Sequence, residues 1–180
     1  MIEVDDTIQG STTEGCVGGI QAISHDGLIL ANAHKEYTLT LYDLTNSSSY
    51  VFAKLRGKPL TLPVLSADGS MLACVVAKGI WVWDTLVPGS TICQHKNLES
   101  ISITSIEISP DAKRLLYCAQ EKNSVNNSTV VFMLDIMKNQ IIARHSLNLD
   151  SSCHTCLNPN SGQVILTSNR GFKVWDAPME

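Results

Sequence analysis

The sequence predicts an all-β fold assembled from four consecutive, similar antiparallel sheet units. One observation is a segment that recurs four times at spacings of 41 to 51 residues. A second is its grammar of short β-branched and aromatic runs parted by Asp-Gly and similar turn pairs, with no helical period long enough to compete. The third is composition: 180 residues, 44% hydrophobic and 17% charged, can fill a sizeable core, which excludes a disordered chain, collagen and a coiled coil.

The units span residues 17–55, 58–95, 101–146 and 152–180. The first runs Ile23-Ser24-His25-Asp26-Gly27-Leu28-Ile29 and closes at Leu41-Tyr42-Asp43; the second runs Leu65-Ser66-Ala67-Asp68-Gly69-Ser70-Met71 and closes at Val82-Trp83-Asp84. The third runs Ile108-Ser109-Pro110-Asp111-Ala112-Lys113-Arg114 and closes at Met133-Leu134-Asp135; the fourth runs Leu157-Asn158-Pro159-Asn160-Ser161-Gly162-Gln163 and closes at Val174-Trp175-Asp176. Asp84 and Asp135 lie 51 residues apart, because the polar insertion Glu121 to Ser128 lengthens a hairpin loop of the third unit. In the second unit the strands are expected at Leu60–Leu65, Ser70–Val76, Ile80–Trp83 and Ser90–Gln94. Asp caps the first turn with its side chain and Gly accepts the positive φ that such a turn demands. The nearly unbroken apolar run of the second strand requires cover on both faces.

The pattern Ser-Pro-Asp-x-x-x-Leu-Leu at Ser109 to Leu116, followed by an apolar strand ending in Trp-Asp elsewhere in the chain, resembles the WD-repeat β-propeller family over about residues 17–176. Trp83-Asp84 and Trp175-Asp176 carry the full dipeptide, whereas Tyr42-Asp43 and Leu134-Asp135 are weakened forms. The family's Gly-His pair is missing from all four units, and Gln94-His95 and Arg144-His145 are remnants at best. The resemblance implies four-stranded blades with Asp26, Asp43, Asp68, Trp83, Asp84, Asp111, Asp135, Trp175 and Asp176 as structural residues, held by packing more than by a buried polar network. It also implies a non-enzymatic protein-interaction scaffold or adaptor, acting alone or as the regulatory part of a larger signalling or scaffold protein.

A stack of blades leaves apolar faces at both ends unless something covers them. The fourth unit lacks an outer strand, and in the leader, residues 1–16, Ile2-Glu3-Val4-Asp5 alternates as an edge strand does. Two closures follow: an arc of a larger propeller, completed by a longer chain, a second copy or a partner, or a four-bladed ring closed by the leader. The arc is preferred, since propellers of this family are mostly larger.

Chemistry-bearing patterns are few. Cys153-His154-Thr155-Cys156 has zinc-type spacing, but no second Cys/His pair completes four ligands, so strand residues beside a turn are the better reading. Gly10 to Gly15 begins like a phosphate loop, yet Cys16-Val17 stands where Lys and Ser/Thr are needed. No Gly-x-Ser-x-Gly elbow is present. No catalytic residue, metal or cofactor is expected. Trp81 and Trp83 are expected to face opposite sides of their sheet, with at least one in the core.

Sorted by loop, the charges separate. Lys35, Arg56, Lys58, Lys78, Lys96, Lys122 and Arg170 fall on loops of one rim, against Glu36, Glu99, Glu121 and Asp150; the seven motif aspartates fall on the other, with Lys113, Arg114 and Lys138. The basic rim is the candidate partner-binding surface, suited to an acidic or phosphorylated protein segment. A net charge of −4 and the lack of interleaved aromatics on those loops count against nucleic acid. Apolar runs are strand-length, the start Met-Ile-Glu-Val-Asp-Asp is acidic, and six cysteines are too sparse for a disulfide scaffold. The expectation is a cytoplasmic or nuclear protein that is neither secreted nor membrane-bound.

Overall fold

Successive side chains of a strand point to opposite faces, so a strand that is apolar throughout has to be sandwiched. Leu72 to Val76 and Leu115 to Ala119 meet that condition and are buried at every position. They are inner strands of a computed structural model that describes residues 21–33, 37–55, 63–76, 79–87, 90–95, 101–121, 129–147, 154–158, 163–168 and 171–176.

The described strands group into four antiparallel sheets. Sheet 1 contains β1 (Gln21–Ile23), β2 (Ile29–Ala33), β3 (Thr38–Asp43) and β4 (Ser48–Lys54), and sheet 2 contains β5 (Val64–Leu65), β6 (Met71–Val76), β7 (Gly79–Asp84) and β8 (Thr91–His95). Sheet 3 contains β9 (Ile101–Ile108), β10 (Arg114–Glu121), β11 (Thr129–Asp135) and β12 (Gln140–Leu147). Sheet 4 contains β13 (His154–Leu157), β14 (Gln163–Ser168) and β15 (Gly171–Asp176). Within each sheet the strands pair in chain order, and the first strands neighbour one another in the order β1, β5, β9, β13. This is the up-and-down meander of a propeller blade repeated around an axis.

Three apolar layers hold the sheets together, and side-chain parity sorts residues among them. Leu72, Cys74, Val76 and Trp83 pack with Ala31, Leu39, Leu41 and Phe52 between sheets 1 and 2. Their alternates Ala73, Val75, Ile80 and Val82 pack with Leu115, Tyr117, Phe132 and Leu134 between sheets 2 and 3. Leu116, Cys118, Val131 and Met133 then turn to Leu157, Val164 and Leu166 of sheet 4. The last sheet leaves its far face uncovered by described residues, with Phe172 74% and Val174 52% exposed. The sheets therefore form an arc and do not close into a ring among the described residues.

The expected architecture holds. Sheet 4 has three described strands, in keeping with a fourth unit that lacks an outer strand, and the leader strand offered to complete it lies outside the described residues. The Asp-Gly turns form as read, with φ of 74° at Gly27 and 70° at Gly69. Ala112 occupies the equivalent place in the third unit and adopts the same left-handed conformation, at φ 57°.

Candidate functional site

One rim of the arc is built from repeated Ser-x-Asp turns. Ser24 Oγ donates to Asp26 Oδ1 at 2.6 Å, Asp26 Oδ1 accepts the Leu28 N–H at 3.0 Å, and Ser24 Oγ accepts the Ile29 N–H at 3.0 Å. Ser66 and Asp68 repeat this with the N–H groups of Met71 and Ser70, and Ser109 and Asp111 with those of Arg114 and Lys113. Asp43, Asp84 and Asp135 cap the second turns by accepting N–H groups from Thr45, Leu86 and Lys138. Register puts both sets on the same edge, because Asp43, Asp84, Asp135 and Asp176 lie opposite Ile29, Met71, Arg114 and Gln163, the first residues of their second strands. Bonds from Ser24 and Ser66 hold the Asp26 and Asp68 carboxyls below the ordinary carboxylate range, and bonds from Thr45 do the same for Asp43. This rim is thus acidic, and at Asp26, Asp43 and Asp68 the hydrogen bonds that shape the turns favour the ionised carboxylate. Lys138 answers Asp135 locally, at 3.3 Å. Between sheets 1 and 2 the rim opens into a cleft of about 460 Å³ lined by Asp26, Asp43, Asp68, Tyr42, Tyr50 and Leu86, among others.

The opposite rim carries a second cavity between the same two sheets, of about 250 Å³. Its walls are Phe52, Lys54 and Leu55 of sheet 1 and its trailing loop, and Val76, Trp81 and Trp83 of sheet 2. A bulge in β4, where Leu39 pairs with Ala53 and Thr40 with Val51, leaves Phe52 as the extra residue of the strand. Phe52 meets Trp83 edge-on at 6.5 Å between ring centroids. Here the sequence reading is corrected: Trp81 and Trp83 lie on one face, stacked at 6.1 Å with 15° between ring planes. Residues two apart in a strand share a side. Trp83 is a core residue, as expected for one of the pair, while Trp81 is only half-buried and forms cavity wall.

The two Trp-Asp tryptophans do equivalent work. Trp83 reaches back to Phe52 on the outer strand of the preceding sheet, and Trp175 reaches back to His145 on β12, stacked at 5.3 Å. His145, noted in the sequence as a remnant, is therefore a packing partner across a sheet boundary.

Deeper in, sheets 3 and 4 share a polar link. The Glu107 carboxylate accepts the Leu157 N–H at 3.0 and 3.1 Å, and burial pushes its carboxyl above the ordinary range against the lowering effect of that bond. Burial, with Glu107 nearby, also pushes the Cys156 thiol up.

The candidate cations Lys35, Arg56, Lys58, Lys78, Lys96, Lys122 and Arg170 all lie outside the described residues, as does Cys153. His154 and Cys156 are both exposed on β13, and no group of three metal-ligating side chains occurs among the described residues. Lys54 belongs with the cations by position: it ends β4, opposite Thr38 at the start of β3, on the edge away from the aspartates. Sequence reasoning passed over it because it falls inside a strand and not in a loop. No helix among the described residues is long and apolar enough to cross a membrane.

Among solved structures, the chain is similar to the Cps50 (Swd1) β-propeller domain of Myceliophteria thermophila, at 13% identity and a TM-score of 0.66, covering 88% of this chain and 52% of that one. It is also similar to Kuenenia stuttgartiensis hydrazine synthase, at 18% identity and a TM-score of 0.59, covering 81% of this chain and 42% of that one. No family model and no curated protein matches the sequence. The likeness establishes a β-propeller fold, of which this chain spans about half the length of the propeller domain it matches.

Proposed function

We propose that the chain is a propeller arc of the WD-repeat type that serves as a non-enzymatic protein-interaction scaffold, docking an acidic or phosphorylated segment on the rim opposite the aspartates. The carrying observation is the collection of Asp26, Asp43, Asp68, Asp84, Asp111, Asp135 and Asp176 on one edge of the sheets. With the acids committed to that edge, the chain's cations in the loops of the other edge, Lys35, Arg56, Lys58, Lys78, Lys96, Lys122 and Arg170, form a field that attracts negative charge. Rigid stacked sheets with partner contacts on the rims suit an adaptor, and similarity to a β-propeller domain supports the same reading. The open face of sheet 4 belongs to this proposal too: further blades, from a longer chain, a second copy or a partner, complete the arc.

The test is binding of a fluorescein-labelled deca-aspartate peptide, followed by anisotropy in low salt. Reversing Lys35, Lys58 and Lys78 to Glu is expected to weaken it at least tenfold, and rising salt to weaken the unmodified chain's binding progressively. Unchanged affinity after the triple reversal overturns the docking reading.

A further inference from the structure

The cavity beside Trp81 lies where two neighbouring units of the repeat differ. Cys74 pairs with Trp81 in sheet 2 just as Tyr117 pairs with Phe132 in sheet 3, and each pair faces the preceding sheet. Between sheets 2 and 3 the space is filled: Tyr117 stacks on Phe132 at 4.8 Å, and His95 approaches Tyr117 from β8 at 6.1 Å. Between sheets 1 and 2 the fully buried Cys74 holds the equivalent position, and about 250 Å³ stays open at the surface beside the indole pair, lined by Phe52, Lys54, Leu55, Val76, Trp81 and Trp83 among others.

Three features describe what would fill it. The wall offers a flat aromatic surface in Trp81 and Trp83, with Phe52 edge-on and Leu55 and Val76 beside it. Neither indole N–H donates to any described residue, so each can take a hydrogen-bond acceptor. At the mouth stands Lys54, exposed and in no ion pair with a described residue, and it opens a run in which Lys54, Arg56 and Lys58 fall within five positions of the sequence. The volume suits one large side chain and is small for a drug-sized ligand.

We propose that this cavity is the anchor pocket of the docking rim: an acidic peptide segment inserts one large apolar or aromatic side chain against Trp81 and sets its flanking carboxylates on Lys54. The inference rests on the acidic-segment reading and adds to it the anchor and the site. Aromatic anchors seated in a pocket and ringed by charge carry much of the affinity of peptide interfaces, whereas charge alone mainly steers.

The probe is the same deca-aspartate peptide with Phe at its centre, compared with the Phe-free version by anisotropy and by the chain's own tryptophan emission. The Phe peptide is expected to bind at least tenfold more tightly and to shift the emission. That advantage is expected to vanish in Trp81→Ala, which removes the aromatic wall, while Lys54→Glu weakens the Phe peptide with no effect on folding. Melting curves identify any variant that fails to fold, and Lys54→Glu, an exposed change, keeps the test open if Trp81→Ala does. Equal affinity for the two peptides in the unmodified chain, or an advantage that survives in folded Trp81→Ala and Lys54→Glu chains, overturns the pocket while leaving the rim reading intact. Indifference of both peptides to the Lys35, Lys58 and Lys78 reversal overturns the rim instead.

Discussion

The Glu107 carboxylate takes the backbone N–H of Leu157 on both of its oxygens, at 3.0 and 3.1 Å, and so ties the first strand of sheet 3 to the first strand of sheet 4. Burial raises this carboxyl in the folded chain. A raised carboxyl binds its proton more tightly in the folded state, so its contribution to stability is fully present below the unfolded value and is lost as pH rises through the folded one. Glu107→Gln keeps an acceptor for Leu157 and removes the charge. The variant is therefore expected to gain on the parent as pH rises from about 4 to 7, measured by urea unfolding. A stability difference that is flat across that range contradicts the assignment. Glu107→Ala, which leaves the N–H without its acceptor, is expected to lose about 1–2 kcal/mol at any pH.

Gly27 and Gly69 hold the same turn position with nearly the same φ, 74° and 70°, but differ in what surrounds them. A Cβ at Gly27 meets nothing within 4 Å, whereas one at Gly69 comes within 3.1 Å of Ile29 Cγ1 and 3.3 Å of Ser24 Cβ, across the boundary between sheets 2 and 1. Gly27→Ala is thus expected to cost only left-handed strain, about 1 kcal/mol. Gly69→Ala adds a steric cost against the buried Ser24 and the half-buried Ile29, taking the loss to about 2–3 kcal/mol. Equal losses in thermal or urea unfolding would mean that the sheets separate to make room.

Asp68 accepts bonds from Ser66 Oγ, the Ser70 N–H and Ser70 Oγ at 2.6, 3.0 and 2.8 Å. Those bonds, Ser66's first, depress its carboxyl below 3.8. The sign is opposite to that of Glu107: the stabilisation is present above the unfolded value and is lost as pH falls through the folded one. Asp68→Asn is expected to destabilise at pH 7 and to converge on the parent as pH falls below the ordinary carboxylate range, where both turn acceptors are neutral. Parallel pH profiles for the two chains would show that the turn does not depend on the charge.

The repeated units were legible because turn chemistry is local. Ser24, Asp26 and Gly27 bond within five residues of one another, and the same short-range logic recurs at Ser66 and Ser109. Burial of both faces of β6 and β10 was legible for the same reason, since an unbroken apolar strand has one explanation. The cavity was not. Its walls come from two sheets: Phe52, left as an extra residue by a bulge in sheet 1, and Trp81 and Trp83 of sheet 2. A void is a relation between two sheets that no single unit records. Likewise the link from Glu107 to Leu157 spans 50 residues and has no sequence signal. The tryptophan reading failed for a simpler reason, the two-residue period having been applied with the wrong sign.

The uncovered face of sheet 4 sets the last expectation. Phe172 and Val174, 74% and 52% exposed, stand on the same side of β15, and Val174 pairs with Ile165, itself opposite the exposed Cys156. Trp175 and its pairing partner Val164 turn the other way, into sheet 3. A strand with apolar residues on both sides has the pattern of an inner layer, and exposed apolar surface of this kind drives association in water. The isolated 180-residue chain is expected to self-associate with rising concentration, by light scattering, and the double change Phe172→Glu, Val174→Lys to return it to a monomer. A cooperatively unfolding monomer of the unmodified chain at about 100 μM would instead support a ring closed within one chain, with the leader covering this face.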